Sequence, residues 1–210
     1  MSLITMSLLP YLEANRIEAG CDEVGRGCLA GPVVAAAVIL PFSYQNPWIN
    51  DSKKLGKTQR ENLIEEIKGN AMAWAIGEAS VEEIDRINIL NASFLAMKRA
   101  ILKLEMKPEH LLIDGNRWRS DLDFSHTCVI KGDGKIASIA AASILAKVYR
   151  DELMEKLALD FPHFAWERNA GYPTKAHREG IEKFGSTIWH RKSFQLLPRQ
   201  LELELNQKSS

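Results

Sequence analysis

Four acidic residues follow apolar stretches of the sequence and could together bind metal ions. Asp22 and Glu23 follow RIEAGC, whereas Asp114 follows HLLI and Asp133 follows HTCVIKG. Such stretches predict strands, and α/β proteins tend to build their sites at strand ends. Converging carboxylates would repel each other unless a cation neutralised them. Hard oxygen ligands without accompanying histidine or thiolate favour Mg²⁺ or Mn²⁺ over zinc, and these ions typically serve phosphoryl transfer.

The same acids also have a structural explanation. Asp114-Gly115 and Asp133-Gly134 are common turn formers, and adjacent acids such as Asp22 and Glu23 are frequent on surfaces. Taken one at a time, these motifs fit either explanation. Their joint placement with the glycine-flanked arginine that follows favours the metal site.

Gly25, Arg26 and Gly27 come one residue after the acid pair. Glycine has no side chain, so the backbone here can approach a ligand closely and take up unusual angles. Bare N–H and C=O groups suit a sugar hydroxyl, and the arginine suits a phosphate. A tight turn between two strands would explain the same three residues.

The elements that must position these residues alternate in type. The strand candidates are 16–21, 31–41, 71–80, 110–116 and 126–135, and the helix candidates are 51–70, 88–105 and 136–159. The stretch 51–70 opens with a basic loop and continues as a short helix, and the helix over 136–159 is rich in alanine, which permits close packing. This order predicts an α/β domain with a mixed sheet.

The C-terminal part of the chain is basic and aromatic. Residues 161–199 contain seven Lys or Arg but only three Glu, and seven of the sixteen aromatic residues lie in the same segment. Such a mixture suits phosphates and stacked bases. The aromatic residues could equally be the core of a small helical part, which their general preference for burial favours.

Length and composition place limits on the class of protein. A chain of 210 residues, 46% apolar and with zero formal net charge, suits one globular domain. Three cysteines without paired spacing predict reduced thiols. No apolar stretch is long enough to span a bilayer, and the N-terminus lacks the features of an export signal, so we expect a cytoplasmic protein.

Five stretches of the sequence resemble ribonuclease HII, the type 2 ribonuclease H family. They are GCDEVGRGCLAGPVVAAAVIL, NDSKKL, LLIDGN, KGDGKIASIAAASILAKVYRD and GYPTKAH, and they occur in the family's order from about residue 18 to 180. The resemblance implies a ribonuclease H-like fold with a mixed five-stranded sheet flanked by helices. It also implies a catalytic part over 1–160 and a small helical extension over 161–210 that contributes to nucleic-acid binding within the same unit.

The resemblance further implies the activity. The family cleaves the RNA strand of RNA–DNA hybrids and nicks duplex DNA on the 5′ side of a single embedded ribonucleotide, leaving a 3′-hydroxyl and a 5′-phosphate. Two divalent ions, Mn²⁺ or Mg²⁺, act in the working complex. The expected partners are therefore RNA–DNA hybrids and ribonucleotide-containing DNA, with no membrane, and nothing in the sequence demands more than a monomer.

The resemblance assigns roles residue by residue. The catalytic and metal-binding acids are Asp22, Glu23, Asp114 and Asp133. The residues that sense the 2′-hydroxyl are Gly25, Arg26, Gly27 and Tyr172, of which Tyr172 packs on the neighbouring deoxyribose. The phosphate contacts are Ser52, Lys53, Ser138 and Ser143.

Three alternatives remain open from the sequence, one for the fourth acid and two for the function. Asp151 competes with Asp133 for the fourth acid position, but Asp133 is preferred because it is expected directly after a strand, whereas Asp151 lies within a helix and could pair with a neighbouring cation. A non-catalytic hybrid-binding module of the same fold is the rival function, although such a binder gains nothing from acids near phosphate. A small-molecule phosphatase would need the same metals.

Overall fold

A mixed five-stranded sheet with helices on both faces organises the chain in this computed structural model. The structure describes residues 8–49 and 56–197. The strands are β1 (Glu18–Val24), β2 (Val33–Ile39), β3 (Ala73–Ala79), β4 (His110–Asp114) and β5 (Ser125–Val129). The helices are α1 (Lys57–Asn70), α2 (Val81–Ile87), α3 (Ile89–Leu102), α4 (Ala137–Asp160), α5 (Trp166–Asn169) and α6 (Lys175–Phe184), with short 3₁₀ turns at Gly132–Gly134 and Pro162–Phe164.

The strand order places the ends of β1 and β4 side by side. The order across the sheet is β3-β2-β1-β4-β5, with antiparallel pairing from β3 to β1 and parallel pairing from β1 to β5. Cys21 of β1 is opposite Ile113 of β4. The next residues along the two strands are Asp22 and Asp114, so parallel pairing brings these acids to the same edge of the sheet.

The central strand β2 is buried along its whole length, as its apolar sequence predicts. Successive side chains of a strand point to opposite faces. Val34, Ala36 and Val38 pack with residues of α1 and α4, whereas Ala35 and Ala37 pack with residues of α3. The predicted mixed five-stranded α/β fold is therefore confirmed, with one core on each face of the sheet.

The C-terminal segment packs against the loop between β1 and β2. Most of its aromatic side chains form or border a third apolar cluster, which also contains Leu29 and Ala30. Of the seven aromatic residues counted in the sequence, Tyr172 and Phe184 are clearly exposed. The helical-core interpretation is thus correct for most of this segment, and Tyr172 is left to face the sheet edge.

A buried pair of histidines fixes the backbone of this segment. His177 Nε2 accepts a hydrogen bond from Trp166 Nε1 at 3.0 Å, and His177 Nδ1 lies 2.9 Å from the Tyr172 carbonyl oxygen. His190 Nδ1 accepts from the Thr187 N–H, which leaves its Nε2 to donate to His177 at 3.1 Å. Burial lowers the pKa of His177, and it lowers the pKa of His190 to about 4. Both rings are therefore neutral near pH 7, and His177 holds the Tyr172 carbonyl.

Helix α4 approaches β1 too closely for any side chain at Gly20. A Cβ added there would lie 2.3 Å from the Ser138 carbonyl carbon and 2.4 Å from the Ile139 nitrogen. We expect Gly20→Ala to lower the free energy of unfolding by about 1–3 kcal/mol or more, because backbone cannot yield as a flexible side chain would. Urea denaturation measures the loss. Gly69→Ala is the control, since a Cβ there meets nothing within 4 Å; equal stability of the two variants would contradict this packing.

Candidate active site

One cavity of about 530 Å³ lies at the edge of the sheet. It is lined by acids at the ends of two strands and by the glycine-rich loop that follows the first of them. The acids are Asp22 and Glu23 at the end of β1 and Asp114 at the end of β4. The remaining lining residues are Val24, Gly25, Arg26, Gly27, Arg60, Ser143, Lys147 and Tyr172. A slightly larger cavity of about 570 Å³ lies beside β3, but none of the strand-end acids lines it.

The three acids repel one another in a poorly solvated place. Burial, followed by the charges of Glu23 and Asp114, raises the pKa of Asp22 well above its ordinary value. Burial also raises the pKa of Glu23, against the opposing effect of Arg26. A cation in this cavity would relieve both effects, because it favours the charged form of each carboxyl group.

Hydrogen bonds from the protein orient these carboxyl groups. Asp22 Oδ1 accepts from the Glu23 N–H at 2.7 Å, and the Ser143 side chain of α4 also hydrogen bonds to Asp22. Asp114 Oδ1 accepts from the Gly132 N–H at 2.7 Å. Glu23 pairs with Arg26 at 3.0 Å. Asp22 is thus held by its neighbour Glu23 and by α4, Glu23 by the loop after β1, and Asp114 by the turn after β5.

Asp133 does not follow its strand directly, contrary to the prediction. Strand β5 ends at Val129, and Asp133 lies in the 3₁₀ turn over Gly132–Gly134, after Lys131 has turned the chain with a φ of 55°. Asp133 is buried and is not among the residues that line the cavity. It is tied to the site through its neighbour Gly132, whose N–H binds Asp114.

Asp151 makes the ion pair that its helical position suggested. Its Oδ1 lies 2.8 Å from Nζ of Lys147, four residues earlier on α4. Among the described residues that line the cavity, Lys147 is present and Asp151 is absent. The structure therefore gives Asp151 a partner outside the group of acids.

The two glycines around Arg26 have different environments. Gly25 has a φ of 92°, and a Cβ there would lie 2.3 Å from Nε of Arg150, so the fold itself requires glycine. A Cβ on Gly27 would meet nothing within 4 Å, and its φ is outside the left-handed region. Within the described residues, neither the N–H nor the C=O of Gly27 has a hydrogen-bond partner. Gly27 is thus exposed backbone that the cavity leaves uncovered.

Two fully buried arginines bind backbone carbonyls of the loop between β1 and β2. Arg150 donates to the carbonyl oxygens of Pro32, Ala170 and Ala30 at 3.0, 2.7 and 2.9 Å. Arg191 donates to the carbonyl oxygens of Gly31 and Arg26 at 2.8 and 3.1 Å. Neither guanidinium forms an ion pair in the described part of the chain, and burial lowers the pKa of Arg191 to about 10. Backbone carbonyls therefore supply the hydrogen-bond acceptors for both guanidinium groups, and the Phe194 ring also contacts Arg191 at 5.1 Å.

Two contacts join Tyr172 and its neighbour Gly171 to the same loop, and a third joins Tyr172 to His177. Its side chain hydrogen bonds to the Cys28 thiol, and His177 holds its carbonyl oxygen. The preceding residue, Gly171, accepts a hydrogen bond from the Leu29 N–H at 2.8 Å. With 39% of its surface exposed, Tyr172 presents its ring to the cavity from a fixed backbone.

The four predicted phosphate-contact residues have different positions relative to the cavity. Ser52 and Lys53 lie outside the described residues. Ser138 is only 2% exposed, its backbone packs against Gly20 of β1, and it is not among the residues that line the cavity, so its phosphate contact stays a prediction. Ser143 lies in the cavity, where it binds Asp22.

Sequence reasoning missed two cations of the cavity, Arg60 of α1 and Lys147 of α4. Lys147 could have been found, because it lies four residues after Ser143 and therefore on the same face of a helix. No pattern in the sequence marks Arg60.

The carboxylates of the cavity suit a hard divalent cation, although the described side chains are not arranged around one common ion position. Carboxylate oxygens are the preferred ligands of Mg²⁺ and Mn²⁺. In the described part of the chain, no three acidic, histidine or cysteine side chains are arranged to hold one ion. One carboxylate oxygen of Glu23 is engaged by Arg26, so opening of that ion pair would make both oxygens available to a metal ion beside Asp22 and Asp114.

Comparison with known proteins gives a consistent result. The sequence profile of the family described as Ribonuclease HII matches residues 19–197. A ribonuclease HII of Parabacteroides distasonis is 62% identical over 196 residues, which cover 93% of this chain and 98% of that protein.

Solved structures share the fold. The structure of the PCNA:RNase HII complex from Archaeoglobus fulgidus has a TM-score of 0.71 at 27% identity, covering 88% of this chain and 98% of that one. Bst-RNase HIII in complex with Mn²⁺ has a TM-score of 0.69 at 22% identity, covering 86% of this chain and 68% of that one. The profile match and the identity to the Parabacteroides protein show that this chain belongs to the ribonuclease HII family and is a metal-dependent ribonuclease H.

Proposed function

We propose that Asp22, Glu23 and Asp114, completed by Asp133, bind two divalent ions, Mn²⁺ or Mg²⁺, and hydrolyse a phosphodiester bond. The observation that carries the proposal is the meeting of three strand-end acids in the cavity that also holds Gly25 to Gly27. Bst-RNase HIII was solved with Mn²⁺, which supports the choice of ion. When bound, such ions activate water and stabilise the leaving oxygen.

The residues around the acids prepare them for this role. Ser143 and the Glu23 N–H orient Asp22, and the Gly132 N–H orients Asp114. Opening of the Glu23–Arg26 ion pair would free one carboxylate for a metal ion and one guanidinium for a phosphate. The same change would therefore complete both the metal site and the phosphate site.

We propose that the substrate is the RNA strand of an RNA–DNA hybrid, or duplex DNA with a single ribonucleotide that is nicked on its 5′ side to leave a 3′-hydroxyl and a 5′-phosphate. Membership of the ribonuclease HII family supports this assignment. The cations Arg26, Arg60 and Lys147 beside the acids suit a polyanion. A non-catalytic binder is not favoured, because crowded buried acids would only repel phosphates.

The backbone of Gly25 to Gly27 would detect the 2′-hydroxyl. A ribose hydroxyl both donates and accepts hydrogen bonds, and Gly27 has one free group of each kind in the described structure. Arg150 and Arg191 fix the carbonyls of this loop, so the detector is rigid before substrate arrives. Tyr172 would pack on the neighbouring deoxyribose.

The C-terminal part contributes to the site in this proposal. Tyr172 belongs to residues 161–210 and lines the cavity with acids of residues 1–160, which supports one functional unit. We propose a monomer as the active species. No helix in the described ranges is long and apolar enough to cross a membrane, and the cytoplasmic location stays a prediction.

Cleavage of a labelled duplex with one ribonucleotide, beside an all-DNA duplex of the same sequence, tests the function. We expect cutting of the first duplex alone, with Mn²⁺ or Mg²⁺ and not with chelator. Asp22→Asn should lower kcat at least about a hundredfold, because even residues that only support metal ligands cost up to that factor. Exposed Asp160 supplies the control, Asp160→Asn, with unchanged kcat. Cutting of both duplexes, or cutting that survives chelation, would refute the proposal.

Gly27→Ala tests the 2′-hydroxyl detector separately from the fold. A Cβ has room in the protein, so the free energy of unfolding should stay within about 0.5 kcal/mol of wild type. The methyl group would occupy the place of the sugar, and we expect kcat/KM on the single-ribonucleotide duplex to fall about tenfold or more, as for loss of 1.4 kcal/mol of transition-state binding. Circular dichroism and initial rates measure the two effects. Full activity of Gly27→Ala would show that this backbone does not meet the sugar.

A further inference from the structure

A second cavity, of about 290 Å³, lies on the other side of the strand-end acids. It shares Glu23, Arg26 and Asp114 with the first cavity. The first cavity is completed by residues of α4, whereas the second is completed by residues of α3, on the opposite face of the sheet. The acids therefore stand on a ridge between two cavities.

The second cavity combines an apolar wall with free polar groups. Leu90, Phe94 and Met97 of α3 form the wall, and Asn116 and Arg117 follow Asp114 around the rim. Both rim residues are exposed, and neither has a hydrogen-bond or ion-pair partner among the residues that the structure describes. A guanidinium and an amide beside an apolar wall suit a phosphate attached to a sugar and base.

The backbone that carries Arg117 is anchored on both sides. Gly115, with a φ of 108°, donates its N–H to the Val129 carbonyl oxygen at 3.0 Å. Trp118 is buried, and its ring meets that of Phe94 edge to face at 5.6 Å. Arg117 is thus held at a defined place on the rim, although its side chain is exposed.

We propose that this second cavity, with Arg117 and Asn116, binds the nucleotide on the 5′ side of the cleaved bond and its own 5′-phosphate. The inference rests on the proposed function, in which the ribonucleotide and its 3′ neighbour occupy the first cavity. Cleavage on the 5′ side of the ribonucleotide puts the scissile phosphate at the acids. The preceding nucleotide of the same strand then lies beyond the ridge, where Arg117 binds its phosphate.

Two duplexes with the same full-length complementary strand separate this contact from others. In the long duplex, the cleaved strand extends several deoxynucleotides upstream of the ribonucleotide. In the short duplex, that strand begins with the single nucleotide before the cut and carries a 5′-hydroxyl, so the scissile phosphate is its first. Affinity is measured by fluorescence anisotropy with chelator, and kcat/KM is measured with Mn²⁺.

We expect Arg117→Ala to weaken binding of the long duplex about tenfold, as for loss of a hydrogen bond to a charged group, and to leave the short duplex unchanged. Arg117→Lys should recover part of the loss. The control Arg119→Ala removes an exposed arginine two residues away that does not line the cavity, and it should change neither affinity. Equal effects of Arg117→Ala on both duplexes, or no effect on either, would overturn the subsite. Failure of the wild-type enzyme to cut the long duplex would instead refute the proposed function, since the binding measurement needs no cleavage.

Discussion

Parallel pairing of β1 with β4 forces like charges together at one edge of the sheet. With Cys21 opposite Ile113, the following residues Asp22 and Asp114 are neighbours, and Glu23 comes next. Burial and mutual repulsion raise the pKa of Asp22, so the fold bears an electrostatic cost at this edge that no structural role requires. A bound divalent cation would instead lower the pKa of these carboxyl groups, because it favours their charged form. The surrounding hydrogen bonds would then orient the carboxylates as metal ligands.

The loop after β1 depends on a second set of buried charges. Arg150 and Arg191 come from distant parts of the sequence, yet both donate to carbonyl oxygens of residues 26–32. The planar guanidinium offers five donors in a fixed geometry, which a lysine could not replace. Because the carbonyls are held inward, the loop has little freedom to adapt, and the exposed Gly27 backbone is presented in one arrangement. The histidine pair holds Tyr172 against the same loop. Buried polar contacts thereby fix the positions of the two groups that we propose to recognise the substrate, the Gly27 backbone and Tyr172.

Sequence patterns predicted the sheet and the gathering of Asp22, Glu23 and Asp114, because apolar runs that end in acids report directly on strand ends. They failed where local geometry decides. The pair Asp133-Gly134 indicated a turn, but no glycine or asparagine marked the left-handed residue Lys131, so the end of β5 was placed too late. The burial of Ser138 beside Gly20 likewise depends on tertiary packing. The seven-residue helix α2 is too short for a clear helical period. Arg191 is one of the seven cations of 161–199 that the sequence associated with phosphates, since a sequence does not show that backbone carbonyls will surround a guanidinium. Arg60 and the rim residues Asn116 and Arg117 depend on tertiary neighbours, whereas the helical spacing from Ser143 could have revealed Lys147.

The central claim is that the acids at the ends of β1 and β4 form a divalent metal site. Calorimetric titration of Mn²⁺ into the protein without nucleic acid tests it most directly, with Asp114→Asn compared with the exposed control Asp160→Asn. The account predicts that Asp114→Asn weakens Mn²⁺ binding at least about tenfold, because the variant lacks one carboxylate ligand. The protein should stay folded, because the substitution also removes a charge that repels Asp22 and Glu23. Asp160→Asn should bind as wild type does. Equal Mn²⁺ affinity of Asp114→Asn and wild type would contradict the account.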